Sequence, residues 1–328
     1  MVIDVAADSV GGACVLLQEG TVPALLYTHR VPIEAHEGEI MTVALARAVG
    51  TLGDSLIREG APILLRAAGS GHPDRIVASI GAPWAESSVH IERFEGDRGG
   101  SFTFSRSLIE KALKPPTEIP AESIFMDETV VATFLDGYES HSPVGERARR
   151  SSIVVLSTVV EEAVAEPLAR TLRALYHTHH VTLAAGSLVF YRSIESLFPH
   201  ESDYLALAVS GDIAQLLLVR HDVLTGTVNV SLANDPTSAL ESAFKKLAEM
   251  QPLPHSIFLV TSESRHESFT ALFADQRFSA LWLSDNPPRI LPIRPEHLQL
   301  GSKLGLVGAV EPDLRLSLIA LFCAQPEA

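Results

Sequence analysis

Apolar and polar positions along this chain follow two rhythms: short, nearly continuous apolar runs, and longer segments with apolar residues three or four apart. The first run spans Val2 to Leu17, with the small-residue stretch Ala6-Ala7-Asp8-Ser9 in its middle, and predicts a β-hairpin. Tyr204 to Val219 has the same shape, turning at Ser210-Gly211-Asp212. Leu25–Pro32, Arg75–Gly81, Val89–Glu95, Ile124–Tyr138, Ser151–Ser157, His180–Leu183, Ile257–Val260 and Ala280–Leu283 read as further strands, with a short one at Phe102–Phe104. Helical spacing marks Glu39–Gly60, where Ile40, Val43, Ala44, Ala48, Leu52, Leu56 and Ile57 recur. It also marks Arg106–Leu113, Val160–Tyr176, Ser187–Leu197, Ser238–Met250 and Glu267–Phe273. Pro115-Pro116 stops the second of these helices, and Pro167 predicts a kink or later start in the third. Strands alternating with helices define an α/β protein.

Composition narrows the classes. The 328 residues are 46% hydrophobic, enough for one large core or two modest ones. Mean hydropathy is +0.21, which excludes a disordered chain. Lys and Arg total 25 against 40 Asp and Glu, a net charge of −15. That balance argues against a nucleic-acid partner and against tight binding to anionic lipid. No secretory signal precedes the first strand, and no apolar run is long enough for a transmembrane helix. The last apolar segment, Leu314 to Ala324, is short and carries Arg315. Cys14 and Cys323 lie in apolar runs and read as buried thiols of a reducing cytoplasm. The alternative is a disulfide joining the chain ends.

Two strand–turn–strand units so far apart resemble the phosphate loops of the actin-like ATPase superfamily. The segment between them resembles its FtsA/PilM branch. The matching residues are Ile76-Val77-Ala78-Ser79-Ile80-Gly81-Ala82-Pro83-Trp84, then Phe102-Thr103-Phe104-Ser105 opening a helix. Leu135-Asp136-Gly137-Tyr138, the turn Pro143-Val144-Gly145-Glu146-Arg147-Ala148 and the strand Ile153–Ser157 continue the match. The resemblance implies an actin-like (ribonuclease H-like) two-lobed α/β fold with an inserted strand-helix-strand-strand subdomain of the SHS2 type. Lobe I then comprises 1–74 and 159–202, the insert 75–158 and lobe II 203–290, with 291–328 returning to lobe I.

In that family the first loop supplies an Asp for Mg²⁺ and small residues whose amides hold phosphate. Here Asp4 is kept, but the following Gly is Ala6, and Asp8 places a carboxylate where phosphate would sit. Asp8-Ser9 is either an ordinary hairpin turn or an altered ligand loop. In the second loop the family's leading Asp is Ala208, its first Gly is Ser210 and its Thr is Ala214. Gly211 and Asp212 remain. The adenosine loop reads Thr261-Ser262-Glu263 and lacks its glycines, and Asn234-Asp235-Pro236 replaces another. Phosphoryl transfer needs carboxylates to hold Mg²⁺, and one of the two expected is gone. The degenerate nucleotide loops thus comprise Asp4, Asp8, Ser9, Ser210, Gly211, Asp212 and Thr261. No catalytic residue, metal site or cofactor is expected, and ATP with Mg²⁺ would bind only in a changed geometry.

The resemblance implies a non-catalytic scaffold at the cytoplasmic face of the inner membrane. It would dock the cytoplasmic peptide of a membrane protein of pilus assembly or cell division against the region Arg75–Ser157. The chain ends without a basic amphipathic tail, which fits PilM better than FtsA. The alternatives are a divergent Mg-ATPase or kinase using Asp4, Asp8 and Asp212, and a self-associating, filament-forming relative. Other features read more plainly. His177, His179 and His180 mark a helix-to-strand junction rather than a zinc site. Ala68-Gly69-Ser70-Gly71-His72 is an entry loop. Arg147, Arg149 and Arg150 form a solvated face or, alternatively, contact an acidic partner or lipid headgroups. Trp84 and Trp282 anchor the core or loops.

Overall fold

The computed structural model describes residues 1–18, 21–113, 119–250, 252–274, 278, 281–282, 288–300, 305–306 and 312–325. Its two main sheets share one strand order. In the first, β1 (Val2–Val5), β2 (Ser9–Leu16) and β3 (Ala24–Pro32) are antiparallel. β4 (Ile76–Ile80) and β11 (Val181–Ala185) add in parallel beyond β1. In the second, β12 (Tyr204–Ser210), β13 (Ile213–Arg220) and β14 (Val223–Ser231) are the antiparallel set. β15 (Ser256–Val260) and β16 (Arg289–Pro292) add in parallel beyond β12. Each sheet thus places its first strand centrally, between its antiparallel neighbour and its first parallel one. Near-continuous apolar runs such as Tyr204–Val209 fit strands buried on both faces.

A third sheet is inserted between the strands of the first. It has the order β5-β10-β7-β8, from β5 (Ala85–Glu95), β7 (Ser123–Leu135), β8 (Tyr138–Glu139) and β10 (Arg150–Glu161). A two-stranded ribbon of β6 (Phe102–Thr103) and β9 (Arg147–Ala148) flanks it. Helix α3 (Arg106–Ala112) covers one face through Phe104, Ala112, Leu135, Ile153 and Val155. The opposite face, with Ala132, Val154 and Leu156, joins the main core. The expected insert, 75–158, thus divides: β4 pairs with β1 and β11 in the first sheet, while β5 to β10 form the inserted one.

Helix α5 (Gly186–Leu197) and the last described helix, α9 (Leu314–Cys323, which follows the short α8, Pro295–Leu300), share the main core with both large sheets. Ser193 Oγ donates to Leu318 O at 2.8 Å between the two helices. The start of α5 lies against the first sheet: a Cβ on Gly186 would stand 2.9 Å from Gly81 Cα and 3.0 Å from Ile80 O. Ser87, Thr158 and Ser187 form a buried hydroxyl cluster, with Ser87 Oγ 2.6 Å from Ser187 Oγ and 2.9 Å from Thr158 Oγ1. It fastens the base of the insert to α5. The second sheet's other face packs aromatic residues, Phe244, Phe273, Phe278 and Trp282, whose indole donates to Pro254 O at 2.7 Å.

Several elements differ from the sequence reading. The expected helix 39–60 is α1 (Met41–Ser55) plus a wider π turn, Leu56–Gly60, running into α2 (Ala61–Ala68). Its apolar residues form two stripes: Ala44, Ala48, Leu52 and Leu56 are buried, while Ile40, Val43 and Ile57 face solvent. α4 (Glu162–Tyr176) starts later than expected and passes through Pro167. β5 and β10 exceed their apolar cores because antiparallel pairing carries them onward. β14 is a strand the sequence reading lacks, although Val223-Leu224, Val228 and Val230 give it a strand's composition. α6 (Pro236–Met250) and α7 (Glu263–Phe273) both begin earlier than expected. Of the strand expected at 280–283, residues 281–282 lie in a turn and the ends fall outside the described residues.

The thiols are not partners. Cys14 packs with Leu26 and Leu64 on the α2 side of the first sheet. Cys323 packs against the core on the opposite side, with Ala13, the strand neighbour of Cys14. Burial pushes the Cys14 thiol up to about 11 and raises that of Cys323.

Gly186→Ala forces the new methyl into backbone rather than a yielding side chain. The expected result is a loss of about 1–3 kcal/mol, read from the shift of the urea unfolding midpoint at unchanged slope.

Candidate functional site

The two hairpin turns singled out in the sequence meet. Asp8, in the turn between β1 and β2, accepts a hydrogen bond from Ser210 Oγ at 2.6 Å, across from the turn between β12 and β13. Ser9 Oγ donates to the same carboxylate oxygen at 3.0 Å. Gly211 makes this approach feasible: its φ is +53°, and a Cβ there would stand 3.0 Å from Asp8 Cβ. Arg265, on α7, donates to Gly211 O at 2.5 Å. The Trp84 indole donates to Ala6 O at 2.8 Å, and Ile33 N donates to Asp8 O at 2.8 Å. The first turn is therefore held on three sides.

Behind this seam lies Asp4, only 1% exposed. Its Oδ2 accepts from Arg30 Nη2 at 2.9 Å and from Arg315 Nε at 2.8 Å; Arg315 Nη2 stands 3.4 Å from Oδ1. Arg30 also binds Asp313 through Nε at 2.6 Å and Nη2 at 3.0 Å, and Ser9 Oγ through Nη1 at 3.1 Å. Asp313 in turn caps α9 by accepting from Leu316 N at 3.0 Å. Two aspartates and two arginines so join β1, β3 and α9. Burial alone would raise the Asp4 carboxyl; the guanidinium groups of Arg315 and Arg30 outweigh it and hold it below the usual carboxylate range. Burial opposes ionisation of Asp8 as well, and the Ser210 and Ser9 hydroxyls overcome it in the same direction.

A cavity of about 30 Å³ remains beside Asp4, lined by Ser79, Gly186, Ala208, Gln215, Val260 and Arg315 among others. That is room for about two water molecules. The structure therefore brings together Asp8, Ser9, Ser210 and Gly211 directly, and Asp4 through Arg30. It does not bring Asp212 in: that residue is exposed and its carbonyl accepts from Leu232 N. Thr261 opens the two-residue loop between β15 and α7, its Oγ1 buried without a hydrogen-bond partner. Both ring nitrogens of nearby-in-sequence His266 are likewise unpartnered. Among the described residues no group of three or more His, Cys, Asp or Glu is placed to hold a metal.

Sequence reasoning found the turns and Asp4 but missed Arg30, Arg315 and Arg265. A signal was present. A carboxylate inside an apolar strand requires a cation, and Arg30 and Arg315 are charges embedded in apolar runs.

Strand order and paired hairpins define an actin-like two-lobed α/β fold, and comparison with solved structures agrees. Over 99% of this chain and 98% of the other, the structure is similar to the PilM–PilN type IV pilus biogenesis complex, with TM-score 0.55 and 14% identity. A Bacteroides thetaiotaomicron protein of actin-like ATPase fold and unknown function aligns over 92% of this chain and 93% of its own, with TM-score 0.47 and 12% identity. The cytoplasmic domain of EpsL, an inner-membrane component of the Vibrio cholerae type II secretion system, aligns over 99% and 95%, with TM-score 0.40 and 10% identity. No family model matches the chain, and no curated protein matches it. The chain thus has an actin-like fold, similar to that of the PilM–PilN structure. No helix among the described residues is long and apolar enough to cross a membrane.

Asp4→Asn leaves two guanidinium groups facing each other without their shared carboxylate. It is expected to cost about 3 kcal/mol at neutral pH, measured by urea unfolding. Because the folded carboxyl is depressed, its contribution is present above the unfolded value of about 3.9 and is lost as pH falls through the folded one. The stability gap between wild type and Asp4→Asn should therefore close on acidification below about pH 4.

Proposed function

We propose that this protein is a non-catalytic actin-fold scaffold of the PilM kind, a docking component rather than an ATPase. One observation carries the reading: the two phosphate-loop turns are bonded to each other, and the carboxylate that would serve Mg²⁺ is already neutralised by Arg30 and Arg315. Two guanidinium groups supply in place the positive charge that a magnesium ion would bring. Asp8 turns a carboxylate toward Ser210 where phosphate oxygens would have to stand, and like charges there repel. These residues do not fit a magnesium–triphosphate group, so no step is routed through one.

The fold-level likeness to PilM supports a partner in a membrane-associated assembly. In this reading the inserted sheet is an SHS2-type module, as the order β5, α3, β7, β10 suggests. It receives the cytoplasmic tail of a bitopic membrane protein, with the scaffold lying at the inner face of the membrane. Pilus assembly is the favoured setting, since the matched fold is that of a pilus biogenesis complex.

Calorimetric titration with Mg-ATP tests the first half of this reading. No heat at millimolar nucleotide is expected, whereas micromolar binding would overturn it. Fluorescence anisotropy with labelled cytoplasmic-tail peptides of bitopic pilus-assembly proteins tests the second. Saturable binding lost on deleting the insert's β6–β9 ribbon supports docking there, and binding to none of them refutes it.

A further inference from the structure

Among the described residues, eleven large apolar side chains are exposed, and five of them lie between Ile40 and Leu65. They are Ile40 at 70%, Met41, Val43, Ile57 and Leu65. Singly exposed apolar residues are ordinary, but a contiguous patch marks an interaction surface. Val43, Ala46, Gly50 and Ile57 follow one another at helical spacing on the solvent side of α1 and its π turn. The buried face of the same helix is already complete.

Gly50 is the informative member. Glycine inside a helix lowers helix stability, and the other glycines here have a local reason. A Cβ on Gly53 would strike Leu175 of α4, and one on Gly60 would press on Cys14 and Tyr27. A Cβ on Gly50 would meet nothing within 4 Å. This chain gives no packing reason for a small residue there, whereas a second helix crossing closely at Gly50 does.

The residues on either side of Gly50 are self-complementary. In an antiparallel pairing about a two-fold axis at Gly50, Val43 of one copy stands opposite Ile57 of the other, and Gly50 opposite Gly50. Arg47 of one copy then stands opposite position 53 of the other, next to Asp54, twice over. Asp54 is exposed and makes no ion pair among the described residues of its own chain, and Arg47, though bonded to Glu39, Glu34 O and His36, keeps 40% of its side chain accessible. We propose that α1 and the π turn after it form the interface of an isologous dimer of this chain. Such a pairing closes on itself and gives a dimer, not a filament. The helical run from Met41 to Ala68 is about 40 Å long, a face at the small end of stable interfaces, so dissociation in the micromolar range is expected.

Sedimentation velocity of the full chain over a concentration series tests this. A reversible monomer–dimer equilibrium is expected. Val43→Asp and Asp54→Arg should each weaken it more than about tenfold, with the melting curve unchanged because both sites are exposed. Gly50→Cys, made alongside Cys323→Ser because Cys323 is only half-buried while Cys14 is buried, should yield a covalent dimer under mild oxidation. A monomer at roughly 100 µM, or a dimer indifferent to Val43→Asp, overturns the proposal. A dimer sensitive to Val43→Asp but not cross-linked through Gly50→Cys overturns the two-fold register.

Discussion

A buried carboxylate held between two guanidinium groups is the constraint around which the rest of this molecule is arranged. Asp4 sits in the central strand of the first sheet, where an unpaired charge is untenable. Arg30 reaches it from β3 and Arg315 from the last helix, so the beginning and end of the described chain are drawn to one point. Asp313 completes the network and caps α9, fixing that helix against α5 and thereby against both large sheets. Replacing such a group by packed hydrocarbon is often neutral for stability, whereas removing one member is not. The network therefore specifies which elements meet more than it adds to total stability.

The duplicated strand order explains why the two hairpin turns can touch. Each sheet places its first strand centrally and sends its first turn toward the other sheet. In this chain the opposed turns carry complementary side chains, a carboxylate on one and a hydroxyl on the other, with a glycine that admits close approach.

Much of this was legible in the sequence, for a physical reason. Fully buried strands such as Tyr204–Val209 and Ile257–Val260 announce themselves as apolar runs, and the small-residue turns between them need no partner to form. Both hairpins, most helices and every member of the seam except Arg265 were therefore readable. Elements that depend on long-range pairing were not. β14 is half buried and mixed in composition, and α2 begins only because a π turn lets the helix continue. The two stripes of α1 merged in sequence because apolar spacing alone does not say which face meets a core. Arg30 and Arg315 are visible as charges in apolar surroundings, but only the fold shows that the cations Asp4 requires come from residues so distant in sequence.

The Trp84 indole bond to Ala6 O has a mechanical meaning. Trp84 stands where the chain leaves the first sheet for the insert, and Ala6 belongs to the turn that touches the second lobe. A single buried hydrogen bond thus ties the root of the insert to the turn that bridges the two lobes, so the insert and the seam share one anchor point.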